Sequence, residues 1–283
     1  MKVGLVLEGG GMRGLYTCGV LDVFMQRKLE FDAIMGVSAG ALFGANYKSR
    51  QMGRTYEYNL EFLNDKRYMG IYSLITTGNV MNKEFCFDEL INKLYPFDYK
   101  TFRETREDFY VVVTNIRTGK PEYLKLDNLD SPENIEKLRA SASLPFMSHP
   151  VEVGSKLYLD GGVGNSLPVD KMLNMGYDKV VVVLTRPLDY RKQPGNEKLA
   201  QLYYHKYPRF VVALNRRYRL YNSQVDRIIE LEKQNKVFVI RPSAHIDIKR
   251  LEKDINVIKR MYNLGTKDTY KCIKDLENYM SSI

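Results

Sequence analysis

Cysteine is scarce in this chain: Cys18, Cys86 and Cys272 are the only three in 283 residues. They are odd in number and unpaired in spacing, which argues against a disulfide framework and suits a reducing compartment. No Cys or His falls at the short intervals of a metal-binding loop, so no metal site is expected. Histidine is equally sparse, with His149, His205 and His245 only. Long apolar runs are missing too. No segment approaches the roughly 20 apolar residues that a membrane span needs, and the run that starts at Val3 is cut by Glu8, so no secretory signal is expected. Internal repeats and low-complexity tracts are absent. These absences point to a cytoplasmic globular protein, long enough to bury a sizeable α/β core.

What the chain does have is glycine set at the ends of apolar runs. Phe31 to Met35 reads as a strand, Ala41 to Tyr47 reads as a helix, and Gly36-Val37-Ser38-Ala39-Gly40 joins them. A serine on such a turn is held at strained backbone angles with its hydroxyl projecting from the sheet edge. Gly36 and Gly40 must be nearly bare for strand and helix to pack closely, and the helix amides beyond Ser38 point their positive ends at the reacting centre. A second cluster, Glu8-Gly9-Gly10-Gly11-Met12-Arg13-Gly14, follows the strand-like Val3 to Leu7 and precedes a helical pattern through Leu15, Cys18, Val20, Leu21 and Phe24. It also matches the dinucleotide fingerprint, but that fingerprint requires an acid at the far end of the second strand. Asp32 lies at the start of that strand, so the nucleotide reading fails at its most specific point. Glycine amides beside a nucleophilic serine can instead converge on an oxyanion.

A serine nucleophile needs a base. His205 sits among aromatic and basic residues like a surface helix, His149 lies in an irregular stretch, and His245, in a loop after Arg241-Pro242-Ser243, could close a Ser-acid-His triad. A carboxylate is the better candidate. Lys156 to Leu159 alternates like a strand and ends in Asp160-Gly161-Gly162, two glycines that permit a tight turn aiming the carboxylate back along the sheet edge. Kept out of water with no cation tightly paired to it, such a group can take a proton from a hydroxyl.

Taken together, the glycine loop, the Gly36-to-Gly40 turn and Asp160-Gly161-Gly162 resemble the patatin-like phospholipase family in order and approximate spacing, over residues 1 to about 185. Arg139 to Pro145 resembles that family's small-residue helix-to-loop segment, and Asn165 and Pro168 fall where a similar Asn-x-x-Pro follows Asp-Gly-Gly. Gly164-Asn165-Ser166 departs from the more usual apolar-Asn-Asn. The resemblance implies a Ser–Asp dyad: Ser38 as nucleophile, Asp160 as general base, Gly9, Gly10 and Gly11 as oxyanion hole, and Arg13 at the family's basic position. It implies no metal or organic cofactor.

Strand-like runs at Val3–Leu7, Ala33–Met35, Phe109–Val113, Lys156–Leu159 and Lys179–Leu184 alternate with helical stretches, which predicts a mostly parallel sheet flanked by helices. The charged break from Arg186 to Lys198 divides a catalytic domain, 1–185, from a mainly helical extension, 186–283, packed on it. In the extension, helical patterns fill 199–234, one strand runs from Lys236 to Ile240, and two amphipathic helices close the chain. Their stripes are Leu251, Ile255, Ile258, Tyr262 and then Tyr270, Ile273, Leu276, Met280. The net charge is +9. Lys206, Arg209, Arg216, Arg217 and Arg219, interleaved with Tyr and Phe, suit peripheral contact with an anionic membrane at its inner face; nucleic acid would fit the charge, but no recognition motif accompanies it. Residues 56–97, rich in Tyr and Phe, could line or cover an acyl-chain groove. The expected activity is lipid acyl-ester hydrolysis of phospholipase A or lysophospholipase type. The alternatives are an α/β-hydrolase esterase using His245, and a membrane- or nucleotide-binding module with an inert serine. Oligomeric state is open.

Overall fold

Residues 1–282 are described by a computed structural model. In chain order the elements are β1 (Val3–Leu7), α1 (Leu15–Gln26), β2 (Ala33–Val37), α2 (Ala39–Lys48), α3 (Arg54–Glu61), α4 (Ile71–Thr77), α5 (Tyr99–Glu104), β3 (Asp108–Asn115) and β4 (Pro121–Lys125). They continue with α6 (Pro132–Ser141), β5 (Val151–Val153), β6 (Lys156–Asp160), α7 (Val169–Asn174), β7 (Lys179–Val183), α8 (Glu197–Tyr204), α9 (Pro208–Lys233), β8 (Val237–Ile240) and α10 (Ile255–Ser281). A π-helical stretch, Phe85–Leu94, lies between α4 and α5.

The strands form one sheet in the order β5-β6-β3-β2-β1-β7-β8, with β4 on the other edge of β3. β3, β2, β1, β7 and β8 are parallel neighbours, whereas β4 and β6 run antiparallel to β3, and β5 to β6. β1 and β2 are buried at every position, as strands covered by helices on both faces must be. One apolar layer joins the sheet to α1, α2 and α10, and the other joins it to α7 and α9. The mostly parallel, helix-flanked architecture is the one the sequence predicts. β4 and β5 were not expected; β4 begins at Pro121 and is only partly buried, so it carries no apolar run to announce it.

Two corrections fall in the C-terminal half. The two expected terminal helices are one, α10, with Asp254 capping its start by accepting from the Asn256 amide. One buried face runs along it through Ile258, Met261, Gly265, Ile273 and Leu276, while Leu251 lies before the helix and Ile255 and Tyr270, expected on the stripes, are exposed. Gly265 does not end the helix because it is where α10 meets α1: a Cβ there would stand 2.1 Å from the Tyr16 carbonyl oxygen. The reciprocal contact is Gly19 of α1, whose Cβ would lie 2.2 Å from the Tyr262 carbonyl oxygen. The pattern over 199–234 is split in turn, with Pro208 opening α9 after a break at 205–207. The C-terminal half packs on the first half and extends its sheet, since β8 pairs with β7. Among the described residues, no helix is long and apolar enough to cross a membrane.

One detail of register positions everything that follows. β2 ends with Val37 opposite Val112 of β3. β6 takes up that same edge of β3 one residue later, with Asp160 opposite Val113, because the other edge is occupied by β4, whose Glu122 also faces Val113. The ends of β2 and β6 therefore abut along a single strand.

Candidate active site

Ser38 follows Val37 at that junction and has φ 55° and ψ −123°, a conformation that is strained for a residue with a Cβ. The neighbouring glycines show what holds it there. A Cβ on Gly36 would lie 2.4 Å from Ala41 Cα, one on Gly40 would lie 2.4 Å from the Leu7 carbonyl oxygen, and one on Gly9 would lie 2.8 Å from Ser38 Cβ. Strand, turn and glycine loop are thus in backbone contact. α2 starts at Ala39, so the positive end of its dipole lies beside the hydroxyl. The amides of Gly9 and Gly10 have no hydrogen-bond partner among the described residues. Gly11, at φ 58°, turns the chain so that the Met12 amide donates to the Arg250 carbonyl oxygen at 3.0 Å.

Asp160, only 2% exposed, ends β6 beside this turn. Its Oδ1 accepts from the Gly162 amide at 2.7 Å, while Oδ2 is buried with no partner among the described residues. Gly161 must be bare because a Cβ there would sit 2.1 Å from the Val112 carbonyl oxygen. The end of α6 braces both residues. Ser141 Oγ donates to the Val112 carbonyl oxygen at 2.7 Å and accepts from the Ser38 amide at 3.0 Å, and the Asp160 amide donates to the Ser143 carbonyl oxygen at 2.8 Å. The sequence marks this segment only by its small residues.

Ser38, Asp160, Gly9, Gly10, Gly11, Arg13 and Gly162 line one polar cavity of about 60 Å³. Much of its remaining wall comes from the C-terminal half. Arg217 Nε donates to the Gly162 carbonyl oxygen at 2.5 Å, across the glycine from Asp160, and burial pulls the guanidinium below its ordinary range. Asp160 thus has a cation nearby, but Arg217 forms no ion pair with it and spends its Nε on the backbone. Arg13 is buried with its Nε unpartnered, and burial, then Arg186 and Arg250, lower it to about 10. Glu8, beneath the glycine loop, accepts from the Thr185 amide at 2.6 Å and from the Tyr221 hydroxyl at 2.8 Å.

The basic, aromatic run from the end of α8 into α9 is therefore not one surface. Lys206, Arg209, Arg216 and Arg219 are exposed, but Arg217 turns into the site and Tyr204, Phe210 and Tyr221 are buried. The signal was available in the helical spacing: Arg217 falls on the same stripe as Phe210, Leu214, Tyr221, Val225 and Ile228.

A second cavity, apolar and of about 100 Å³, meets the first at Gly11, Ser38, Leu144 and Arg250. Leu42, Tyr58, Met69, Phe87, Leu90 and Phe97 line it, so much of the aromatic stretch of residues 56–97 faces Ser38. The histidines do not. All three are exposed, none lines either cavity, and His149 packs against Gly78. Asn165 bonds Tyr123 at 2.7 Å and also Gln224, away from Ser38.

The family model of patatin-like phospholipase matches residues 5–173, and that of a domain of unknown function matches residues 207–281. An uncharacterized protein of Escherichia coli K12, YjjU, is 27% identical over 192 residues, 66% of this chain and 52% of that protein. Lysophospholipase nte1 of Aspergillus fumigatus is 30% identical over 201 residues, 66% of this chain but 12% of that protein. A probable lipid hydrolase, 463L of invertebrate iridescent virus 6, is 26% identical over 181 residues, 59% of this chain and 61% of that protein. The chain thus spans about half of the first of these relatives and a small part of the second. The crystal structure of VipD from Legionella pneumophila aligns with a TM-score of 0.45 at 13% identity, over 97% of this chain and 67% of that one, too distant to bear on function. With its family match running from β1 through the Ser38 turn and Asp160 into α7, the chain belongs to the patatin-like phospholipase family.

Proposed function

We propose that the protein is a lipid acyl hydrolase of phospholipase A or lysophospholipase type, working through a Ser38–Asp160 dyad. The observation that carries this reading is the position of Ser38 at the meeting of an apolar and a polar cavity, with the buried, unpartnered Oδ2 of Asp160 lining the polar one. Family membership and relatives named lysophospholipase and lipid hydrolase support the lipid substrate.

Asp160 accepts the Ser38 proton as Oγ attacks the ester carbonyl. The unpaired amides of Gly9 and Gly10, with Gly11 beside them, receive the oxyanion; one such donor is typically worth about 3–4 kcal/mol in the transition state. The C–O bond to the leaving alcohol breaks, the alcohol takes the proton from Asp160, and acyl-Ser38 remains with its chain in the apolar cavity. Water then gives its proton to Asp160, attacks the acyl carbon and releases the fatty acid, and the proton returns to Ser38 Oγ. The cycle calls for no cofactor. Arg13, beside the glycine loop, adds positive charge near the oxyanion.

The test is fluorophosphonate labelling of Ser38 together with turnover of a p-nitrophenyl acyl ester. Ser38→Ala loses labelling and turnover, Asp160→Asn loses turnover, and the double variant is little worse than either, as expected of a pair acting as one unit. A variant lacking all three histidines keeps most of its activity, whereas a histidine-dependent triad loses several orders of magnitude. Substantial turnover by folded Asp160→Asn would rule out the dyad, and an unlabelled Ser38 would favour the binding-module alternative.

A further inference from the structure

The polar cavity holds more positive charge than acyl transfer uses. Arg13, Arg186, Lys192, Arg217 and Arg250 all line it, against two carboxylates, Glu8 and Asp160. Both Glu8 oxygens are already engaged, by the Thr185 amide and the Tyr221 hydroxyl, and one Asp160 oxygen is held by Gly162. None of the five cations forms an ion pair among the described residues, although surface Arg and Lys elsewhere on the protein do. Only Arg217 spends a side-chain donor on the protein, on Gly162; the side chains of the other four make no hydrogen bond among the described residues, and Arg13 Nε is buried without a partner. Burial and mutual repulsion press on the group: Lys192 is lowered to about 7, by burial first and then by Arg217. Arg186 and Lys192 lie over the Tyr190 and Tyr221 rings, at 4.2 and 4.5 Å from the centroids. Gathering five cations without a bound anion in a half-buried cavity still costs free energy.

The place of the cavity says which part of a substrate would be that anion. An acyl ester at Ser38 puts its chain into the apolar cavity, and its alcohol portion then points into the cationic one. At about 60 Å³ the cationic space has room for roughly four or five heavy atoms, the size of a phosphate group. Arginine forks and a lysine ammonium suit phosphate oxygens, and five cations exceed what one negative charge needs. We infer that this cavity is a headgroup subsite for a phosphate monoester, making the preferred substrate a lipid whose glycerol carries a terminal phosphate. The inference rests on the acyl hydrolase reading. Four of the five cations come from residues 186–250, downstream of the matched patatin-like segment.

The experiment uses the full chain with two readouts. In the first, kcat/KM is measured on 1-oleoyl lysophosphatidate, 1-oleoyl lysophosphatidylcholine and 1-monooleoylglycerol, each in the same neutral detergent micelles. The wild type prefers lysophosphatidate over monooleoylglycerol by about tenfold or more, and Arg186→Gln or Lys192→Gln lowers that ratio about tenfold, the usual scale for one charged hydrogen bond. Arg186→Lys, which keeps the charge, retains most of the ratio, and circular dichroism checks that each variant folds. In the second, Ser38→Ala is titrated calorimetrically with glycerol 3-phosphate, inorganic phosphate and glycerol; the first binds and the last does not. A flat headgroup profile that Lys192→Gln leaves unchanged overturns the inference while sparing the hydrolase. Binding of inorganic phosphate with no lipid selectivity also overturns it, in favour of a free-phosphate site. Binding of glycerol 3-phosphate with no hydrolysis of any ester supports the subsite and instead removes the hydrolase reading.

Discussion

Replacing Ser141 by Ala removes a single oxygen that serves two buried backbone groups. Val112 is the last residue of β3 paired with β2, and its carbonyl oxygen accepts from the Ser141 hydroxyl at 2.7 Å, while Ser141 Oγ itself accepts from the Ser38 amide at 3.0 Å. Ser141 is completely buried, so water cannot replace either bond without a structural opening. Each unsatisfied buried group costs about 1–3 kcal/mol, and relaxation recovers part of that, so the variant loses about 3 kcal/mol. For a chain of this size that corresponds to a fall in Tm of roughly 6–12 °C. The Ser38 backbone is already in a disfavoured conformation held by its surroundings, and losing the anchor on its amide lets the hydroxyl drift. A misplacement of about 1 Å typically costs about a hundredfold in rate. Differential scanning fluorimetry and p-nitrophenyl ester turnover read both effects. Ser143→Ala is the control, because its hydroxyl bonds only the Arg139 carbonyl oxygen at 2.9 Å and its own backbone carbonyl still receives Asp160. It loses about 1 kcal/mol and far less turnover. If Ser141→Ala matches Ser143→Ala in both measurements, the bridge does not position Ser38.

Further outcomes are expected elsewhere. Gly265→Ala drives a Cβ to 2.1 Å from the Tyr16 carbonyl oxygen, a backbone atom that cannot step aside, so overpacking of about 1–3 kcal/mol outweighs the gain in helix propensity; an unchanged or raised Tm would refute the close α1–α10 contact. Lys192, facing Glu8, Arg13, Arg217, Arg250 and the Tyr221 ring, is lowered by burial from 10.5 to about 7. Between those pH values the unfolded chain binds the extra proton, so stability rises with pH across that window. Denaturant unfolding of Lys192→Gln at pH 7 and pH 9.5 lacks this rise, and an equal slope in both proteins would show that the lysine does not carry it. Exchanging the exposed Arg216 and Arg219 together for Gln weakens sedimentation with anionic vesicles about thirtyfold at roughly 1 kcal/mol each; equal binding would make the outer face of α9 a solvated surface only.

The Ser38 turn was legible because close backbone approach leaves glycine as its trace. Gly36, Gly40 and Gly161 each face an atom that excludes a Cβ, and such positions can be read from the residues alone. The parallel strands were legible for a similar reason, since burial on both faces writes continuous Val and Ile runs. What escaped was whatever rests on partners distant in sequence. β4 and β5 lie toward the sheet margin and are only partly apolar. Ser141 looks like any small residue until β2, β3 and α6 meet. Arg217 stands among charged neighbours in sequence, whereas its helical phase assigns it inward. The single α10 looks like two helices in sequence because its apolar face passes through a glycine whose use lies in α1.

β3 also sets when the site can come into being. Its one edge receives Val37 from a neighbour already synthesised and Asp160 from one that is made much later, and the wall opposite needs α9 and the Arg250 carbonyl later still. A nascent chain that has released β1 through α2 therefore carries the serine turn but no base, no Ser141 brace and no closed cavity. Contacts so distant in sequence form slowly. Esterase activity should consequently return with the last kinetic phase of refolding, after helix content has recovered, which would make turnover a reporter of completed folding.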